Sequence, residues 1–170
     1  MTHSRLSPAA LLSLALMLTT VNVSASVVGI SMKGQIIWTP PCKVTSADSR
    51  RIEVSFGDNV GINQVEGMRY RQPLNYHITC YKSQPAGTGL VLTLKGDIAS
   101  FDASKAALQT SVKGLAIRIL QNGSPMVINQ PIKVISTALP ALEAVLVKQS
   151  GVPLKEGQFE STATLLADYQ

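Results

Sequence analysis

Histidine is almost missing from this chain. It has two, His3 and His77, and only His77 lies beyond the N-terminal segment. Cysteine is as scarce, with Cys42 and Cys80 alone. A Cys/His nucleophile pair therefore has no free partners, and a Ser-His-Asp triad would have to use His77 without any nucleophile elbow. A metal centre lacks the cluster of ligands it needs, and His77 is read as a solvent-facing strand residue. Charged residues make up only 15%, and the ten carboxylates are scattered singly, which excludes a recognisable glycosidase pair. No glycine-rich phosphate loop precedes a helix. These shortages predict a chain that is not an enzyme, takes no cofactor and has no small-molecule substrate.

Aromatics are also sparse, at 5%. The net charge is +5, yet the basic residues gather only at "SRR", 49–51, with no aromatic interleaving. That stretch reads as a solvated loop, and nucleic acid is not an expected partner. Hydrophobic residues nonetheless reach 45%, enough apolar surface to offset chain entropy, so disorder is excluded as well.

Long apolar runs are confined to the N-terminus. There "MTHSRLSPAALLSLALMLTTVNVSASVV" has the parts of a secretory signal: Arg5, a short apolar core, and the small residues Val23, Ser24 and Ala25. The expected divisions are a signal peptide at 1–25, an extension at 26–36 and one domain at 37–170. In an exported chain the even pair Cys42 and Cys80 argues for one disulfide. Its loop would contribute roughly 3–5 kcal/mol.

From residue 26 the pattern is period two, punctuated by Gly, Pro and Asn. "VVGISMKGQIIW", "RIEVSFGD", "PLNYHITC", "GLVLTLKG" and "LEAVLVKQS" read as strands. "LAIRILQNGSPMVI" reads as two strands around an "NG" turn, which explains "NGS" at 122–124 better than a glycosylation acceptor does. A helical turn is expected at 103–109, and "PIKVISTALPALEA", broken by Pro140, is expected to be a loop. About seven short strands, one disulfide and no strong helix predict an antiparallel β-sandwich.

The two ends carry the most information. In "GQFESTATLLADYQ", Phe159, Ser161, Ala163, Leu165, Ala167 and Tyr169 share one face. Gly157 opens the segment, where a bend is cheap. Leu166 breaks the polar pattern of the other face. At the opposite end Val28, Ile30, Met32, Gly34 and Ile36 form an apolar series that precedes the first cysteine. It reads either as a first strand of its own domain or as a strand meant for another molecule's open sheet edge.

With these features in order, the chain resembles the pilins of chaperone–usher fimbriae, of the type 1 and P pilus kind. The resemblance rests on "VVGISMKGQII", on "TPPCKV" with a second cysteine after "YHIT", on "EVSFGD", and on the ending Gly157, Phe159, Ala163, Thr164, Leu165 and Tyr169. It implies an all-β, incomplete immunoglobulin-like β-sandwich lacking its seventh strand, completed by a donor strand from a chaperone or a neighbouring subunit. By that resemblance Val28, Ile30, Met32, Gly34 and Ile36 are the donor residues. Gly157, Phe159, Ser161, Ala163, Leu165, Ala167, Tyr169 and Gln170 are the acceptor groove and chaperone-binding strand, with the carboxylate of Gln170 held by the chaperone. The implied partners are a periplasmic pilus chaperone, an outer-membrane usher and neighbouring pilin subunits, in a hetero- or homopolymer. The implied destination is the cell-surface fimbrium, reached through the periplasm, where the chain contributes to cell adhesion as a minor or adaptor subunit. The alternative is a single-domain surface adhesin or glycan-binding module.

Overall fold

The computed structural model describes residues 31–34, 42–81, 83–84 and 86–170. The chain divides into two units, Met1–Ile36 and Ile37–Gln170. In the first, residues 31–34 are exposed and form no strand.

The described residues of the second unit form ten strands, all paired antiparallel. β1 (Cys42–Thr45) pairs with β3 (His77–Cys80), and β2 (Gln72–Leu74) lies just before β3 in the chain. β4 (Leu90–Gly96) follows, then β5 (Ala107–Gln109), β6 (Leu115–Gln121) and β7 (Ser124–Pro125). β8 (Pro131–Val134), β9 (Leu142–Lys148) and β10 (Ala163–Tyr169) complete the order. Among the described residues the one helical element is a 3-10 turn at Ile62–Gln64.

The strands form a two-stranded sheet β1-β3, a three-stranded sheet β10-β4-β8 and a five-stranded sheet β2-β9-β6-β5 with β7 attached to β6. Period-two alternation aims Leu90, Leu92 and Leu94 of β4 and Ala167 and Tyr169 of β10 into one core. From the facing sheet that core receives Leu108, Ile119, Leu142 and Ala144. Cys42, Val44, Ile78 and Cys80 pack against it from the two-stranded sheet. Cys42 and Cys80 stand directly opposite each other in the ladder and are joined by the expected disulfide.

Four local readings need correction. "PLNYHITC" is two strands, because the chain leaves the β9 edge after Leu74 and joins β1 from His77 onward. Its alternation survives the crossing: Leu74, Tyr76, Ile78 and Cys80 are all half-buried, and the Tyr76 hydroxyl donates to the Pro140 carbonyl at 2.8 Å. The helical turn expected at 103–109 does not form. The Asp102 carboxylate accepts from the Ser104 hydroxyl and from the Ala106 N–H, which turns the chain so that β5 can pair with β6. The loop expected at "PIKVISTALPALEA" contains β8, an edge strand whose first residue is Pro131, a place where a missing N–H is tolerated. In "QNGSPMVI" the second strand of the hairpin is only two residues long. Asn122 and Gly123 take positive φ of 49° and 82°, as a type I′ turn requires.

The fifth difference positions the site. Residues 51–57 alternate as expected, with Ile52, Val54 and Phe56 half-buried and Arg51, Glu53, Ser55 and Gly57 exposed. Yet they pair with no strand among the described residues. The C-terminal strand likewise starts at Ala163, leaving 157–162 outside any ladder.

Candidate functional site: an open trench in the sandwich

These two unpaired segments face each other across a trench. At one end, residues from Glu53 to Asn63 stand opposite Leu154 to Ser161, over a floor of Val65, Val112, Leu115 and Ile117. At the other end, Val44 and Arg50 to Phe56 stand opposite Ser161 to Leu165, over Leu74, Leu94, Leu108, Ile119 and Ala144. Val54, Phe56, Ile117 and Ser161 line both parts, so the trench is continuous. Its volumes are about 1230 Å³ at the Phe159 end and about 320 Å³ at the Leu165 end.

The walls are held in different ways. On the C-terminal wall the Ser111 N–H donates to the Glu160 carbonyl at 3.0 Å, and the Glu160 N–H donates to the Ser111 hydroxyl at 3.1 Å. The Ser161 hydroxyl donates to the Gln109 carbonyl at 2.7 Å. The wall therefore hangs from the chain following β5. The N-terminal wall is fixed near its end, where the Gly61 N–H donates to the Tyr70 hydroxyl at 2.9 Å. In between it depends on side-chain packing: Val60 and Phe56 rest on buried Val65, Leu115 and Leu146.

Side chains that would be buried in a closed sandwich are only half covered here. Val54, Phe56, Ile117, Leu154, Phe159 and Leu165 are all of intermediate exposure, whereas Leu92, Val145 and Leu146 elsewhere are fully buried. Among the described residues β10 is also an edge strand, paired with β4 on one side alone. An apolar floor beside an unpaired strand edge is chemically a receptor for an extended peptide: ladder hydrogen bonds hold the backbone, and alternate side chains enter the floor.

The residues read from the sequence fall as follows. Gly157, Phe159, Ser161, Ala163 and Leu165 line the trench. Gly157 has φ of +143°, a conformation that favours glycine at the bend. Ala167 and Tyr169, on the same face, are already buried in the core at 3% and 8% exposure. The backbone of Gln170 exchanges two hydrogen bonds with Gly89, at 2.6 and 2.9 Å. Of the N-terminal series, Met32 is 90% exposed and Gly34 is exposed with open space around its Cα. Val28, Ile30 and Ile36 lie outside the described residues. His77 is exposed on β3, as read. The sequence reading did not assign the opposite wall, Ile52 to Val60; its signal was the alternation of Ile52, Val54 and Phe56. Among the described residues no three His, Cys, Asp or Glu side chains gather as a metal ion would need.

The second unit is thus an all-β, incomplete immunoglobulin-like sandwich, with an open trench among its described residues. The family described as "Fimbrial protein" matches residues 30–170, and the chain belongs to that family. It is 32% identical over 145 residues to the uncharacterized fimbrial-like protein YfcQ of Escherichia coli (strain K12), covering 83% of this chain and 86% of that one. Its fold is similar to the P pilus adaptor subunit PapF, with a TM-score of 0.57 at 20% identity, covering 78% of this chain and 98% of the other. It is also similar to the P pilus rod subunit PapA, with a TM-score of 0.55 at 21% identity, covering 84% and 100%. The chain is a structural fimbrial subunit of the cell-surface pilus, not an enzyme, and its neighbours are other pilin subunits.

Proposed function

We propose that this fimbrial subunit polymerises by donor-strand exchange, its trench being filled by a strand from another protein. The single observation that supports this reading is the continuous apolar trench between residues 51–57 and 157–165, beside the unpaired edge of β10. In the proposed sequence the residues at 1–25 direct export and are removed. A periplasmic chaperone strand fills the trench first and meets the C-terminal strand through to Gln170. At the outer-membrane usher, the extension of a neighbouring subunit takes its place, and the finished fibre serves cell adhesion. Residues 26–36 of this subunit, carrying Val28, Ile30, Met32, Gly34 and Ile36, in turn enter a neighbour.

Magnitudes favour the exchange. Residues 26–36 in extended form reach about 34 Å, and the wall 157–165 runs about 27 Å. Burying four apolar side chains contributes on the order of 6–12 kcal/mol before ordering costs. That matches the whole net stability of an ordinary domain, about 5–15 kcal/mol. The likenesses to an adaptor and to a rod subunit are nearly equal, so they do not choose a position in the fibre.

The test is deletion of residues 26–34. The shortened chain should still be recovered with its chaperone and should fail to extend fibres. Normal fibres from the deletion variant would overturn the reading.

A further inference from the structure

The trench is not electrically uniform. Its Phe159 end carries the carboxylates of Glu53, Asp58, Glu156 and Glu160 against the single cation Lys155. Its Leu165 end carries Arg50, which pairs with Asp48 at 3.6 Å, and Arg51, with no carboxylate in the lining itself. Among the described residues neither Glu53 nor Glu160 has an ion-pair partner, and Arg51 has none either. The fold leaves a dipole along the slot that an inserted strand must lie against.

The alternation of each wall says where these charges point. Glu53 is exposed between half-buried Ile52 and Val54, and Glu160 is exposed between half-buried Phe159 and Ser161. Both therefore lie on the solvent side of the trench, one on each wall. A strand that sends its apolar face to the floor presents its intervening residues to that same side. In the segment 26–36 the apolar face is Val28, Ile30, Met32, Gly34 and Ile36, and the intervening residues are Gly29, Ser31, Lys33 and Gln35. Lys33 is the one charged residue among them, and it is exposed.

Building on the strand-accepting reading above, we propose that the trench takes the extension of a second copy of this chain, with the incoming Lys33 lying between Glu53 and Glu160. Opposite charges at neighbouring cross-strand positions attract, and like charges repel. A slip of two residues toward the Leu165 end carries Lys33 to Arg51, so the same charges define register. They also define direction. Lys33 sits nearer the C-terminal end of the apolar series, which places that end at Phe159 and runs the extension antiparallel to β10. The floor supplies the affinity, and the rim decides which strand is accepted and how it lies. A subunit that takes its own extension stands in runs of two or more copies.

The experiment uses a fluorescent peptide copying residues 26–36, its K33E counterpart, and the full chain with either native or E53K/E160K trench rims. Both rim positions are exposed, so the charge swap leaves the core intact. At low ionic strength the native peptide should bind the native chain about tenfold more tightly than the K33E peptide. The preference should invert on the E53K/E160K chain, and it should vanish on an E53Q/E160Q chain. Equal binding of the two peptides to the native chain overturns this inference and leaves the strand-accepting trench standing. Binding of neither peptide also overturns this inference, and the strand-accepting reading is then decided by the deletion of residues 26–34.

Discussion

Phe56 and Phe159 come from opposite walls of the trench, and their rings meet with centroids 5.9 Å apart and planes tilted by 43°. Both rest on the cluster of Val65, Leu115 and Leu146. The pair ties together two segments that no ladder joins among the described residues. An aromatic contact of this kind contributes about 0.5–1.5 kcal/mol beyond the area it buries. A double-mutant cycle of F56A and F159A, read by denaturant unfolding, should show a coupling in that range. Additive losses would mean that the rings merely share a neighbourhood.

Leu165 and Leu166 are adjacent and face opposite ways. Leu165 lines the trench, while Leu166 is 39% exposed on the outer face, opposite Thr93 in the register. Thr93, directly opposite, is 6% exposed, so Leu166 stands beside a buried position on the outer face of β10. Leu165→Asp should therefore abolish capture of a donor strand, since it buries a charge on the trench floor. Leu166→Asp should leave capture intact and cost no more than about 1 kcal/mol, as expected for a partly exposed site. Co-purification with chaperone reads the first effect, and urea unfolding reads the second.

The disulfide joins β1 to β3, which form a sheet of their own. With a sequence separation of 38, its removal in C42A/C80A should cost about 3–5 kcal/mol. Val44 of β1 lines the trench, so loosening β1 should also weaken strand capture. Melts with and without reductant, alongside capture assays, check both effects.

Asp102 is 6% exposed and pairs with Arg118 at 2.7 Å. Burial pushes its carboxyl up, but hydrogen bonds from Ser104, Arg118 and the Ala106 N–H, together with the charge of Arg118, outweigh it. The net result is a folded carboxyl below its ordinary value. A group held down in the folded state contributes stability above its unfolded pKa of about 3.9, and that contribution is lost as pH falls through the folded value. The stability of Asp102→Asn should fall less steeply than that of the native chain on acidification below about pH 4. Parallel slopes in acid unfolding would contradict this. At neutral pH the variant should be less stable by about 1–3 kcal/mol, because Arg118 loses its charged partner.

How much of this was legible in sequence depends on what period two can say. The face holding Phe159, Ser161, Leu165, Ala167 and Tyr169 follows from alternation, and so do the half-buried series Ile52, Val54, Phe56 and Leu74, Tyr76, Ile78. Alternation gives a side chain's direction, not whether a ladder partner exists. Residues 51–57 therefore read as an ordinary strand, and Ala167 and Tyr169 read like Phe159 although β10 buries only the former pair. The turn at Asp102 is made locally, by Ser104 and Ala106, but the partner that balances its buried charge, Arg118, is 16 residues away in sequence and no spacing rule points to it. β8 was hidden because Pro140 reads as a break in the whole stretch, whereas the strand is short and ends at Val134, before that proline.

The central claim is that the trench is an unfilled strand position, and the most direct measurement is a thermal melt of the full chain with and without the peptide copying residues 26–36. A peptide present at about 100 times its Kd adds about 2.7 kcal/mol, so the melting temperature should rise by roughly 5–10 °C. An unchanged melt from an already stable chain would contradict the account.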